Sequence, residues 1–159
     1  MSRTRNGWVL PVSILVAILL GLVPLPAPLQ PLRPYWLALV LAYWLLEAPD
    51  RVGLGVSFMI GLVADLAFGG LLGAQALRLV VLAFILERFR ARLRFFPMSQ
   101  QAMTMGVLLL NDRVINAVIH LVMGVPQVPV LTWCAPLIGA VLWAPLHFLL
   151  DALRLRKRA

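Results

Sequence analysis

At 159 residues the chain has room for one domain, and at 62% hydrophobic and 13% charged it is too apolar to be a soluble one. A water-soluble fold of this size could not hide so much apolar surface, so lipid is the expected solvent. The formal net charge of +8 would suit nucleic acid in a soluble chain, but the placement of the cations described below excludes that use.

The first predicted helix runs from Trp8 to about Val23. Arg3 and Arg5 precede it as in a signal peptide, but no small-x-small cleavage site follows, so the segment is expected to be retained. Prolines 24, 26, 28, 31 and 34 then rule out helix and predict an ordered-to-extended connection. The second span runs over about 35–48 and stops at Pro49. The third covers 52–68, with Gly69 and Gly70 turning the chain into a fourth at about 71–86. The stretch Glu87 to Arg94 reads as a basic loop carrying Arg88, Arg90, Arg92 and Arg94. A fifth span over 97–123 is interrupted in polarity at Asn111, Asp112 and Arg113, and a sixth over about 130–150 contains Pro136 and Pro145, which membrane helices tolerate. The expectation is an all-α, polytopic membrane bundle of about six helices forming a single domain, 1–159.

Lysine and arginine set the orientation. With the N-terminus inside, eleven of the fourteen fall in inner segments, Arg33 alone lies in an outer loop, and Arg78 and Arg113 lie within spans. Both termini are therefore expected on the cytoplasmic side, with the positive charge marking topology and meeting anionic headgroups. Trp8, Tyr35, Trp36 and Trp133 fall near span ends, as interfacial aromatics do, while Trp44 and Trp143 sit deeper and read as packing residues.

Ionisable groups at membrane depth cost roughly 2.5–3.5 kcal/mol each on insertion scales, so each needs a partner or a task. Asp65 in the third span and Arg78 in the fourth are expected to pair across the hairpin, either simply holding it together or serving a ligand. Gly53, Ser57, Gly61, Asp65 and Gly69 recur every fourth residue and form one narrow, mostly small stripe. Such a stripe serves either close packing within the bundle or the approach of a partner helix. In the fifth span Asp112, Asn116 and His120 make a second stripe, which could line a cavity or form an interhelical network. Arg113 points about 100° away from Asp112 and should find another acceptor or snorkel.

No catalytic constellation emerges. His120 and His147 are the only histidines and lie on different spans, and no Ser–His–Asp spacing, H-E-x-x-H or phosphate loop exists, so neither a catalytic nor a metal site is expected. No cofactor is expected. Cys134 cannot form an internal disulfide and reads as a small buried hydrophobe.

The order and spacing of several stretches nevertheless point to a family. Arg33-Pro34-Tyr35-Trp36, Tyr43-Trp44, Pro49-Asp50-Arg51-Val52-Gly53 and Gly61-Leu62-Val63-Ala64-Asp65-Leu66 are followed by Gly69, Gly70, Leu71, Leu72 and Gly73, then Phe96-Pro97 and Gln100-Gln101-Ala102. Over about 33–102 the chain resembles the rod shape-determining MreD family of proteobacteria. The resemblance implies a non-enzymatic inner-membrane scaffold of the cell-elongation machinery, regulating cell shape and lateral peptidoglycan synthesis. Its implied partners are an MreC-like protein, a RodA-type polymerase with a class B penicillin-binding protein, and the MreB filament. The implied fold is similar to the substrate-binding subunits of energy-coupling-factor transporters. A second reading is a small-solute binding or transport subunit using the polar residues of spans three to five.

Overall fold

The computed structural model describes residues 9–24, 26, 28–29, 32–48, 51–69, 72–126 and 130–155. Over these residues the chain is all helical: α1 (Val9–Leu22), α2 (Trp36–Glu47), α3 (Leu54–Phe68), α4 (Ala74–Leu93), α5 (Met98–Met123) and α6 (Ala135–Leu155), with a 3-10 turn Val130–Cys134 leading into α6. The expected topology marks Arg3, Arg5, Arg156, Lys157 and Arg158, the belt residue Trp8, and Pro49, Asp50, Gly70 and Leu71 lie outside the described residues.

The sequence of α2 determines where it goes. It is apolar around its whole circumference, and a helix without a polar face must be surrounded. Every residue from Leu37 to Leu46 is buried. Around this axis pack α1, α4 and α6, while α3 lies chiefly on α4 and α5 on α6 and α4. At roughly 1.5 Å per residue its 12 residues reach only about 18 Å, well short of a ~30 Å hydrocarbon core. That shortness carries little penalty, because irregular backbone at depth is tolerated where protein surrounds it.

The outer helices invert the pattern of a soluble protein. Leu15 and Leu19 on α1, Met59 and Leu66 on α3, Phe84 on α4, Val107 and Leu121 on α5, and Val141 and Phe148 on α6 all face outward and exposed. Ser57, Asp65, Arg78, Asp112, Thr132 and His147 are buried. Two helical segments, Met98–Met123 and Val130–Leu153, are each long and apolar enough to cross a membrane. Taken with the outward apolar belt, this is the surface of a membrane protein.

Two features differ from the sequence-based expectation. The basic stretch is not a loop: α4 continues through it to Leu93, so Arg88, Arg90 and Arg92 are helical and Arg94 is the C-cap. Leu, Arg, Glu and Ala are all strong helix formers, so the helix outlasts the apolar span that hydropathy detects. Cys134 is exposed rather than buried, because it stands at the turn into α6 instead of inside a span.

The helix ends, where four N–H or C=O groups lack partners, are met by side chains from elsewhere. Gly69 and Gly124 adopt φ of 68° and 67°, the left-handed conformation glycine takes without strain, and close α3 and α5. Arg33 donates both terminal nitrogens, to the carbonyls of Gly21 in the last turn of α1 and of Val23 just beyond it. Arg90 Nε donates to Leu46 O at 3.2 Å at the end of α2, and Gln101 Nε2 to Leu93 O at 2.8 Å at the end of α4. Water is scarce at membrane depth, so these caps do work that solvent does for a soluble helix.

Candidate functional site

The polar residues gather at the end of the bundle that carries the 24–34 connection, the α3–α4 turn and the segment leading into α6. Asp65 and Arg78 were expected to bond to each other, and instead each takes a different partner. The Asp65 carboxylate crosses to the start of α4, where Oδ2 accepts from Gly73 N–H at 2.7 Å and Oδ1 from Gln75 N–H at 2.9 Å. An acid at a helix N-terminus satisfies orphan donors and opposes the helix dipole, so Asp65 caps α4 from α3. Arg78 turns instead toward α5. Its Nε donates to Asp112 Oδ1 at 2.8 Å and its Nη2 to Oδ2 at 2.6 Å, a two-bond fork between helices. The Tyr35 ring covers the guanidinium at 4.6 Å, and the Tyr35 hydroxyl donates to Gln75 Oε1.

The other predicted polar residues behave differently from Asp112. Asn116 makes no hydrogen bond among the described residues, and His120 Nδ1 is buried without one. The expected stripe on α5 is therefore one ion-paired residue followed by two unpaired ones. Arg88, Arg92 and Arg94 are exposed at the opposite end of α4.

The small stripe on α3 is used inside the chain. Ser57, Gly61 and Asp65 are buried while Gly69 is exposed and Gly53 half-buried. A Cβ on Gly61 would stand 2.3 Å from Ala76 Cα and 2.6 Å from Ala76 N, so the α3 and α4 backbones touch there. Of the two readings of the stripe, internal packing is the one this contact supports.

A cavity of about 520 Å³ opens beside the Arg78–Asp112 pair. Its wall combines Arg33, Arg78 and Arg113 with Tyr35, Gln75 and Thr132, and with the apolar side chains of Ala17, Leu22, Leu37 and Phe68. Arg113 forms no hydrogen bond among the described residues, so none of them supplies the acceptor expected for it.

A second polar cluster at the other end went unread in the sequence. His147 is buried, with Nε2 3.5 Å from Glu47 Oε1 and Nδ1 3.4 Å from Asp151 Oδ2, while Tyr43 OH donates to Asp151 Oδ1 at 2.5 Å. The i, i+4 spacing of His147 and Asp151 was a usable signal, but Glu47 arrives from α2, a hundred residues away in sequence. Among the described residues no group of three or more His, Cys, Asp or Glu could hold a metal ion.

Comparison with known proteins gives a consistent answer. The family model described as rod shape-determining protein MreD matches residues 2–153. The rod shape-determining protein MreD of Haemophilus influenzae is 44% identical over 73 residues, which is 46% of this chain and 45% of that protein. The chain thus spans about half the length of the curated relative it matches. No solved structure matches.

Proposed function

This chain belongs to the MreD family of rod shape-determining membrane proteins, and on that premise we propose that it is a non-enzymatic scaffold of the cell-elongation complex. It crosses the bacterial inner membrane six times with both termini cytoplasmic. It works with an MreC-like membrane protein and, directly or through that protein, with a RodA-type polymerase and a class B penicillin-binding protein. MreB filaments lie near its cytoplasmic face, and anionic lipid meets Arg88, Arg92 and Arg94.

The observation that supports this reading best is the division between surface and interior. Exposed side chains on the outer helices are largely apolar, and the acids of spans three and five are engaged within the chain, by backbone N–H groups at Asp65 and by Arg78 at Asp112. Helix faces are then what the protein offers to others. Because the small stripe of α3 is consumed by α4, a partner helix has to use the outward faces, such as that of Val107 on α5 or Met59 on α3.

The test is capture in native membranes. A photo-crosslinking residue placed in turn at Met59, Val107 and Val141 is expected to trap an MreC homologue from at least one face, and depletion of the protein is expected to round the cells. Capture of no such protein from any face, in cells that stay rod-shaped on depletion, would overturn the scaffold. The cavity gives the solute-binding reading one specific support, and a solute that raises the melting temperature of a protein with no captured partner would favour it.

A further inference from the structure

The described residues that line the cavity include three arginines and no carboxylate. Three guanidinium groups face it, from the segment before α2 (Arg33), from α4 (Arg78) and from α5 (Arg113). Two carboxylates lie near, and both are engaged: Asp112 by the fork from Arg78, and Asp65 by the two N–H groups that begin α4. Arg33 spends its terminal nitrogens on the end of α1, which leaves its Nε buried and without a partner. Arg113 has no hydrogen-bond partner among the described residues. A half-buried guanidinium beside two other cations, with no hydrogen-bond partner among the described residues, is costly, and the favourable remedy is an anion from outside.

We propose that this cavity binds a phosphate group, with Arg113 as its principal contact and the Arg33 Nε edge and Arg78 as flanking donors. Guanidinium groups converging from three separate elements suit an anion that presents oxygens in several directions, and Arg–phosphate pairing is the strong form of this contact. At about 520 Å³ the cavity exceeds a bare phosphate and falls in the range of small-molecule sites. Its apolar wall, formed by Leu22, Leu37 and Phe68, suits a ligand with a nonpolar part attached to the phosphate. A free phosphorylated solute and a phospholipid headgroup share this chemistry.

The two sources separate in one experiment on the full-length protein in a phosphorus-free detergent. Inorganic phosphate and short-chain phosphatidylglycerol are added separately, with sodium chloride at matched ionic strength as control. Melting temperature and native mass spectra are recorded. At one hundred times Kd a specific ligand is expected to raise the melting temperature by roughly 5–10 °C over the salt control. Arg113→Gln is expected to weaken binding by at least about tenfold, while Gln100→Ala, exposed at the other end of α5, leaves it unchanged. Should Arg113→Gln fail to fold, Arg113→Lys, which keeps the charge and loses the fork, is expected to show weakened binding. A response to phosphate points to a solute, and a response to phosphatidylglycerol alone points to a headgroup. No shift beyond the salt control from either, or unaltered binding in the folded Arg113 variant, overturns the proposal. Neither result bears on partner capture, so the scaffold reading stands or falls separately.

Discussion

Replacing Asp112 by Ala is expected to destabilise the bundle by about 3–5 kcal/mol, and replacing Asp112 by Leu together with Arg78 by Met is expected to recover most of that loss. The asymmetry follows from burial. Arg78 is 8% exposed and Asp112 5%, and Nη2 stands 2.6 Å from Oδ2. Removing the acid leaves a guanidinium inside the bundle with only the Tyr35 ring and more distant charges to face. Removing both partners leaves an apolar contact between α4 and α5 in an already apolar interior. Hydrogen bonds between membrane helices are commonly worth only about 0.6 kcal/mol, because the unfolded chain in lipid also finds partners. An orphaned charge is a different matter, since it finds no equivalent acceptor in hydrocarbon. Unfolding of Asp112→Ala and of the double variant in mixed micelles measures this. A double variant no more stable than Asp112→Ala would show that the ion pair is not the source of the loss.

The second large effect is expected at Gly61. Gly61→Ala places a methyl group 2.3 Å from Ala76 Cα and 3.0 Å from the Gln75 carbonyl carbon, and both are backbone atoms that move only if the helices separate. Overpacking of this kind costs about 1–3 kcal/mol, and Gly61→Leu is expected to prevent the α3–α4 hairpin from closing at all. Separation also withdraws Asp65 from Gly73 and Gln75, so the cap of α4 weakens with the packing. Gly139 supplies the control. An added Cβ there meets Leu109 Cδ1 at 2.4 Å, the far end of a flexible side chain, and a rotamer change costing about 0.5–1.5 kcal/mol relieves it. Equal losses at the two positions, measured by the same unfolding assay, would contradict this account of α3 on α4.

What the sequence made legible was set by periodicity and by solvent. Apolar runs of the right length, broken by proline and glycine, located all six helices, because that signal is local. The end of α4 was misplaced because hydropathy marks where lipid ends and not where helix ends: the stretch Glu87 to Leu93, with four charged residues, is helical. The partners of Arg78 were misassigned for a different reason. Asp65 and Arg78 were correctly placed on neighbouring antiparallel helices, but the free N–H groups of the α4 terminus compete for Asp65 and win. That outcome depends on the geometry of the turn at 69–73, which residue types alone do not fix. Arg78 could reach Asp112 only once the packing of α5 against α4 was known. The cavity was illegible for the same reason. Arg33, Arg78 and Arg113 come from three elements, and nothing in their spacing shows that they converge. Arg113, about 100° around α5 from Asp112, does lie on a separate face, where it lines the cavity with no hydrogen-bond acceptor among the described residues.

The scaffold and the phosphate site both require a bundle embedded in lipid with its cavity end directed away from the cytoplasm. Cys134 is the chain's single cysteine, exposed at that end, and serves as a natural reporter. A membrane-impermeant maleimide added to spheroplasts is predicted to label Cys134 before lysis, whereas a cysteine at Arg94, in a Cys134→Ala background, is predicted to stay unlabelled until the membrane is broken. Labelling of the Arg94 position in intact spheroplasts, with Cys134 protected until lysis, would contradict the account.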